Sequence, residues 1–291
     1  MPPEVTSRAT YRHRAWRRYS YATRRLRERP TFLVLGGQRC GTTFLYECLR
    51  SQPGVMGARE KEVHFFDLQY HRGFGWYRSH FPTAAAVRAR SASGVSVAVG
   101  EASPYYLFHP GVPGRVAACL PDARFIVLVR NPADRAYSHY RHERRLGHEP
   151  LEFEQALEAE EHRLAGEEER LLRDPRYASF PHRHHSYFAR GCYAAQLRRW
   201  LDVFPRERFL VLASETLFAD PGTAVRRALD FLGLSGDVGG PPPGSQGSPQ
   251  APLPTDVRAN LIRRYAEPNA ELAQLLAGRA SVIPWIASPQ R

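Results

Sequence analysis

Three short stretches of the chain concentrate residues able to do chemistry. The first, GGQRCGTT (Gly36–Thr43), spaces Gly36 and Gly41 as a phosphate-binding loop does and follows them with two threonines. An ATP-binding loop carries lysine directly after the second glycine. Here that position is Thr42, and the positive charge has moved into the loop at Arg39. Backbone N–H groups over Gly37, Gln38, Arg39, Cys40 and Gly41, with the hydroxyls of Thr42 and Thr43, can still cradle an anion. The second stretch, FIVLVRNPADRAYSHY (Phe125–Tyr140), ends an apolar run in Arg130, where a nucleoside triphosphatase often has the aspartate that helps to hold magnesium. Ser138 follows about two helical turns later, on a face that can look back to the strand end. Arg130 and Ser138 thus make a second phosphate site that invites no metal. A ligand with a 5′-phosphate and a separate 3′-phosphate suits this pair better than ATP does.

The third stretch is KEVHFFD (Lys61–Asp67). Of the 41 lysines and arginines, only Lys61 is a lysine. So strong a bias keeps lysine where arginine cannot substitute, because the ammonium is a compact point charge and the guanidinium a broad planar fork. Composition alone therefore singles out Lys61. Cys40, by contrast, reads as a small residue tolerated in the loop, not as a nucleophile.

These residues need strands and helices to position them. TFLVLGG (Thr31–Gly37), VSVAVGE (Val95–Glu101), RFIVLVR (Arg124–Arg130) and RFLVLASE (Arg208–Glu215) are short apolar runs of the kind that form buried parallel strands. Helical patterns alternate with them. One begins at Thr42, with Phe44, Leu45, Cys48 and Leu49 on one face; others cover Pro132–Arg145, Leu151–Leu172, Tyr193–Phe204, Pro221–Leu232 and Asp256–Leu276. Asn131 can cap the second of these, with Pro132 in its first turn. The alternation predicts an α/β, P-loop-like three-layer fold around a largely parallel sheet. Residues 1–30 read as a basic arm or helix, and 31–291 as one domain with a Gly/Pro-rich loop at 235–254. The acidic run EFEQALEAEEHRLAGEEER reads as a solvated helix face.

A net charge of +12 favours anionic partners. No nucleic-acid-reading motif with interleaved aromatics accompanies it, so nucleic acid is not expected. No apolar run is long enough to span a bilayer, and the arginine-rich start lacks the apolar core of a secretory signal. Weak membrane-surface contact through residues 1–30 is conceivable, as for a basic amphipathic helix. The four cysteines have no paired spacing, which suits a reducing, cytoplasmic compartment. PHRHH (Pro181–His185) has no cysteine or carboxylate at ligand spacing, so no metal is expected.

The motifs resemble those of sulfotransferases that use 3′-phosphoadenosine 5′-phosphosulfate (PAPS). GGQRCGTTFLY is similar to their 5′-phosphosulfate loop and LVRNPADRAYSHY to their 3′-phosphate motif. KEVHFFD closely resembles a segment of heparan sulfate 3-O-sulfotransferases and related N-sulfotransferases, and GEASPYYLFHP and the block from Gly191 resemble further family segments. The likeness runs in order from Thr31 to Ala277 and implies a bacterial-type, PAPS-dependent enzyme. It further implies that Glu62 is the general base, with His64 the competing base because relatives acting on small molecules use a histidine. Lys61 is implied to contact the sulfuryl or bridging oxygen. Arg39 stands where the family commonly has lysine and is implied to hold the phosphosulfate; Arg130 and Ser138 are implied to hold the 3′-phosphate. The implied acceptor is a glycan or small-molecule hydroxyl or amine. The alternatives are a nucleotide-dependent kinase or triphosphatase, against which the missing lysine and strand-end aspartate count, and a non-catalytic nucleotide-binding module.

Overall fold

A computed structural model describes residues 8–234, 253–277 and 283–287. Five strands make one sheet: β1 (Phe32–Gly36), β2 (Val55–Gly57), β3 (Ala98–Ala102), β4 (Arg124–Val129) and β5 (Phe209–Ala213). Their order is β2-β3-β1-β4-β5 and every pairing is parallel. Register is set by β1 at the centre, with Leu33 opposite Glu101 on one side and Phe125 on the other.

Side chains alternate across the sheet, and the two faces bury different helices. On one face Leu33, Leu35, Val99, Phe125 and Val127 pack with Tyr193, Leu197 and Trp200 of the Tyr193–Leu201 helix. On the other, Phe32, Val34, Ile126 and Leu128 pack with Phe44, Leu45 and Leu49 of the Thr42–Arg50 helix and with Val225 and Leu229 of the Pro221–Leu232 helix. Each such side chain contributes roughly 1.5–3 kcal/mol by leaving water, which fixes the three layers. The expected α/β class and parallel sheet are therefore observed.

Several element boundaries differ from those read in the sequence. The third strand begins at Ala98, not Val95, because its edge partner β2 offers only Val55–Gly57 to pair with. The pattern over Leu151–Leu172 is two helices, Phe153–Leu164 and Glu167–Arg173, parted where Gly166 takes φ +74°. The pattern over Asp256–Leu276 is likewise two, Thr255–Arg264 and Ala266–Leu275, because Pro268 cannot donate back to the Arg264 carbonyl. The Tyr193 helix stops at Leu201. The acidic run is not wholly solvated: Glu160 is buried and accepts from the N–H groups of Phe188 and Ala189. Burial pushes its carboxyl up to about 7. Glu167 is also buried.

In the N-terminal segment, Arg8–Ala22 is helical. It is held to the rest of the chain by Arg59 stacked 4.0 Å over Trp16 and by Arg27, which donates to the Phe81 carbonyl and to Ser20. The Gly/Pro-rich stretch falls almost entirely outside the described residues. Among the described residues, no helix is long and apolar enough to cross a membrane.

Candidate functional site

The C-terminal ends of β1 and β4 open into a cleft of about 820 Å³, lined by Gln38, Arg39, Gly41, Thr42 and Thr43 of the loop together with Glu62, Arg130, Ser138, Glu215 and Phe218. Parallel sheets bind ligands at this edge, where neighbouring connections leave in opposite directions.

The loop between β1 and the Thr42–Arg50 helix is a tight wrap. The Gly37 N–H donates to the Leu128 carbonyl and the Cys40 N–H to that of Gly37. Arg39 and Gly41 both take positive φ, at 72° and 84°. Gly41 has little choice, since a methyl there would stand 3.0 Å from the Phe218 ring. A methyl at Gly36 would stand 2.9 Å from the Thr42 methyl. Cys40 turns into the core, where burial pushes its thiol up to about 11, so it is no nucleophile. The Cys40 carbonyl accepts from Ser214.

The two expected phosphate elements meet. Arg39 Nε donates to Ser138 Oγ at 3.1 Å, and Arg130 reaches the Arg39 carbonyl at 3.4 Å. Burial, followed by the charges of Arg145 and Arg130, draws Arg39 below the ordinary arginine range. Converging guanidiniums raise one another's energy, and an anion between them would relieve that. Tyr193, read in the sequence only as the start of a helix, holds this junction. Its hydroxyl donates to the Arg130 carbonyl, accepts from the Arg130 N–H and lies 3.6 Å from Cys40 Sγ.

Across the loop stands the KEVHFFD turn. Lys61 Nζ donates to Thr43 Oγ1 at 3.0 Å and to Glu62 Oε1 at 3.3 Å. Glu62 Oε2 lies 2.9 Å from His64 Nε2, and His64 Nδ1 lies 2.7 Å from Asp67 Oδ2. His64 thus bridges two carboxylates. Burial pulls its pKa down, but Asp67 and Glu62 outweigh that and raise it to about 10. For Glu62 burial works upward, yet the His64 hydrogen bond and the Lys61 charge hold it below the usual carboxylate range. Asp67 closes the KEVHFFD stretch three residues beyond His64, and its contact with the imidazole is visible only in the fold.

A second unanticipated group shapes the turn from beneath. Buried Glu101, at the end of β3, accepts from Tyr77, Ser103 and Tyr106. Ser103 and Tyr106 in turn accept from the backbone N–H groups of His64 and Phe65. The network fixes the turn that presents Lys61 and Glu62. Gln38 is also tied down, accepting from Arg190 at 2.6 Å.

A phosphate-loop-type turn at the edge of a parallel sheet, facing a lysine–glutamate pair, places the chain in the class of P-loop-like α/β folds. A sulfotransferase domain model matches residues 29–239. The chain is 36% identical over 213 residues to human (Homo sapiens) heparan sulfate glucosamine 3-O-sulfotransferase 6, covering 70% of this chain and 52% of that protein. It is 32% identical over 216 residues to human bifunctional heparan sulfate N-deacetylase/N-sulfotransferase 3, covering 70% of this chain and 22% of that one. A solved sulfotransferase from Alicyclobacillus acidocaldarius superposes with a TM-score of 0.61 at 33% identity, over 86% of this chain and 96% of that one. This chain belongs to the PAPS-dependent sulfotransferase family. It spans about half or less of the length of those two human relatives.

Proposed function

We propose that the protein transfers the sulfuryl group of PAPS to a hydroxyl or amine of a glycan, glycolipid or secondary-metabolite acceptor, with Glu62 as general base. The observation that carries this is the Thr43–Lys61–Glu62 chain, which joins the anion loop directly to a carboxylate facing the cleft. The 5′-phosphosulfate would sit on the loop N–H groups, Arg39, Thr42 and Thr43, and the 3′-phosphate on Arg130 and Ser138.

In the transfer, the acceptor oxygen or nitrogen bonds to sulfur as Glu62 takes its proton. The bond from sulfur to the bridging oxygen breaks, and adenosine 3′,5′-bisphosphate leaves with the electron pair. Lys61 faces the developing charge on that oxygen. His64 serves as an orienting cation, because both of its nitrogens are engaged by carboxylates. A carboxylate that is ionised at neutral pH and open to the cleft is the better proton acceptor of the two. All four cysteines are unpaired, in keeping with the bacterial-type, cytoplasmic setting we propose.

The test offers the protein labelled PAPS or ATP with a panel of acceptors, and measures adenosine 3′,5′-bisphosphate binding without magnesium. Sulfuryl transfer and magnesium-independent binding are expected. Binding of magnesium-ATP with none of the bisphosphate would overturn the proposal. Glu62→Gln is expected to lower kcat by about 10²–10⁴-fold while keeping bisphosphate affinity. Full turnover by that variant would remove Glu62 as the base and leave the family unaffected.

A further inference from the structure

The PHRHH run has no part in the proposed transfer, yet the fold draws it onto a buried carboxylate distant in sequence. Glu143 sits in the last turn of the Pro132–Arg145 helix and is 1% exposed. Its Oε2 lies 2.9 Å from His148 Nδ1 and 2.9 Å from His184 Nδ1. The two imidazoles meet edge to face with centroids 4.6 Å apart, and the three donor atoms all lie within 4.8 Å of one another. A carboxylate there faces the negative end of the helix dipole and loses most of its water, so it needs compensating charge. Two imidazoles from separate segments, the turn after the helix and the Phe180–His184 helix, present the same ring atom to the same oxygen.

We propose that Glu143, His148 and His184 bind one divalent transition-metal ion of the zinc class, with solvent completing its coordination. Two imidazole nitrogens and one carboxylate oxygen form a zinc-type donor set, whereas magnesium and calcium take oxygen ligands. Tetrahedral ligands about 2.0–2.1 Å from zinc stand about 3.3 Å apart, so the two 2.9 Å separations would open by a few tenths of an ångström while the two ring nitrogens, within 4.8 Å of each other, adjust about the ion. Each ring would carry a proton on Nε2, leaving Nδ1 to face the ion. His148 is 35% exposed, which leaves the ion an approach from solvent. The other oxygen, Glu143 Oε1, lies 3.4 Å from Gln38 Nε2. The ion would therefore stand one side chain behind the anion loop, as a positioning site outside the reacting atoms.

Protein without a polyhistidine tag is stripped with chelator, re-equilibrated with zinc on the order of ten micromolar, and read by metal analysis and thermal unfolding. One zinc per chain is expected, with a rise in Tm on zinc addition. His148→Ala and His184→Ala should bind at least about tenfold more weakly and lose the Tm response. His162→Ala, at an exposed helix position elsewhere, should match the wild type. Absence of bound zinc in the wild type, or wild-type binding by both ring variants, overturns the site. Should His184→Ala not fold, the more exposed His148→Ala carries the comparison. Metal counting uses no turnover, so its failure would leave the proposed sulfuryl transfer standing.

Discussion

Glu62 is flanked by two cations, and its lowered pKa costs it basicity in the resting site. In the proposed mechanism the donor resolves this. As Lys61 turns its charge toward the sulfuryl group, Glu62 loses one of the partners that hold it ionised, and its proton affinity rises when the acceptor needs it. His64 stays protonated throughout the neutral range, with its pKa raised to about 10. The stability it contributes is complete below its unfolded value near 6.5 and is lost as pH climbs through about 10. Activity should follow the same alkaline limb, since neutral His64 no longer orients Glu62 by charge. Asp67→Asn removes the nearest charge favouring the imidazolium, so the alkaline limb of kcat/KM should move toward neutral pH. A pH–rate profile of that variant checks this, and an unmoved limb would detach His64 from the activity.

The loop from Gly36 to Gly41 shows the same economy among elements, because backbone conformation alone decides where its N–H groups point. Gly41→Ala must hold a methyl-bearing residue at φ 84° against the Phe218 ring. That should cost about 1–2 kcal/mol and lower Tm by several degrees, with weaker adenosine 3′,5′-bisphosphate binding than the wild type in titration calorimetry. This loop, β1, β4 and the Pro132–Arg145 helix were legible in the sequence because apolar runs, glycines and an Asn-Pro start mark them locally. Lys61 was legible for a different reason, its rarity in the chain. What was not legible was formed by tertiary contact. Tyr193 looks like any core aromatic until its hydroxyl meets Arg130, and Glu101 looks like the polar end of a strand until three hydroxyls surround it. The carboxylate absent beside PHRHH arrives from a helix some forty residues earlier, at Glu143. Strand β2 carries too few residues for any period to show.

Over the whole molecule, the charge of +12 acts on whatever anionic acceptor approaches the cleft. If that acceptor is a sulfated or carboxylated oligosaccharide, its KM should rise several-fold as salt goes from about 50 to 300 mM, because the Debye length shrinks across that range. A neutral acceptor should show little change in steady-state kinetics. A flat response for acidic oligosaccharides would argue that the natural acceptor is uncharged. The sheet order has a consequence for how such enzymes diversify. Lys61, Glu62 and His64 come from the stretch between β2 and β3, while the Gly36–Thr43 loop follows β1 and Arg130 and Ser138, the proposed 3′-phosphate residues, follow β4. In the proposed assignment the proton acceptor thus lies on a different length of chain from most of the nucleotide contacts, and Lys61, bonded to Thr43, joins the two. On that proposal, changes between β2 and β3 that spare Lys61 and Glu62 can suit new acceptors while the other two lengths hold the nucleotide as before. Acceptor choice can drift without each step having to reinvent the donor.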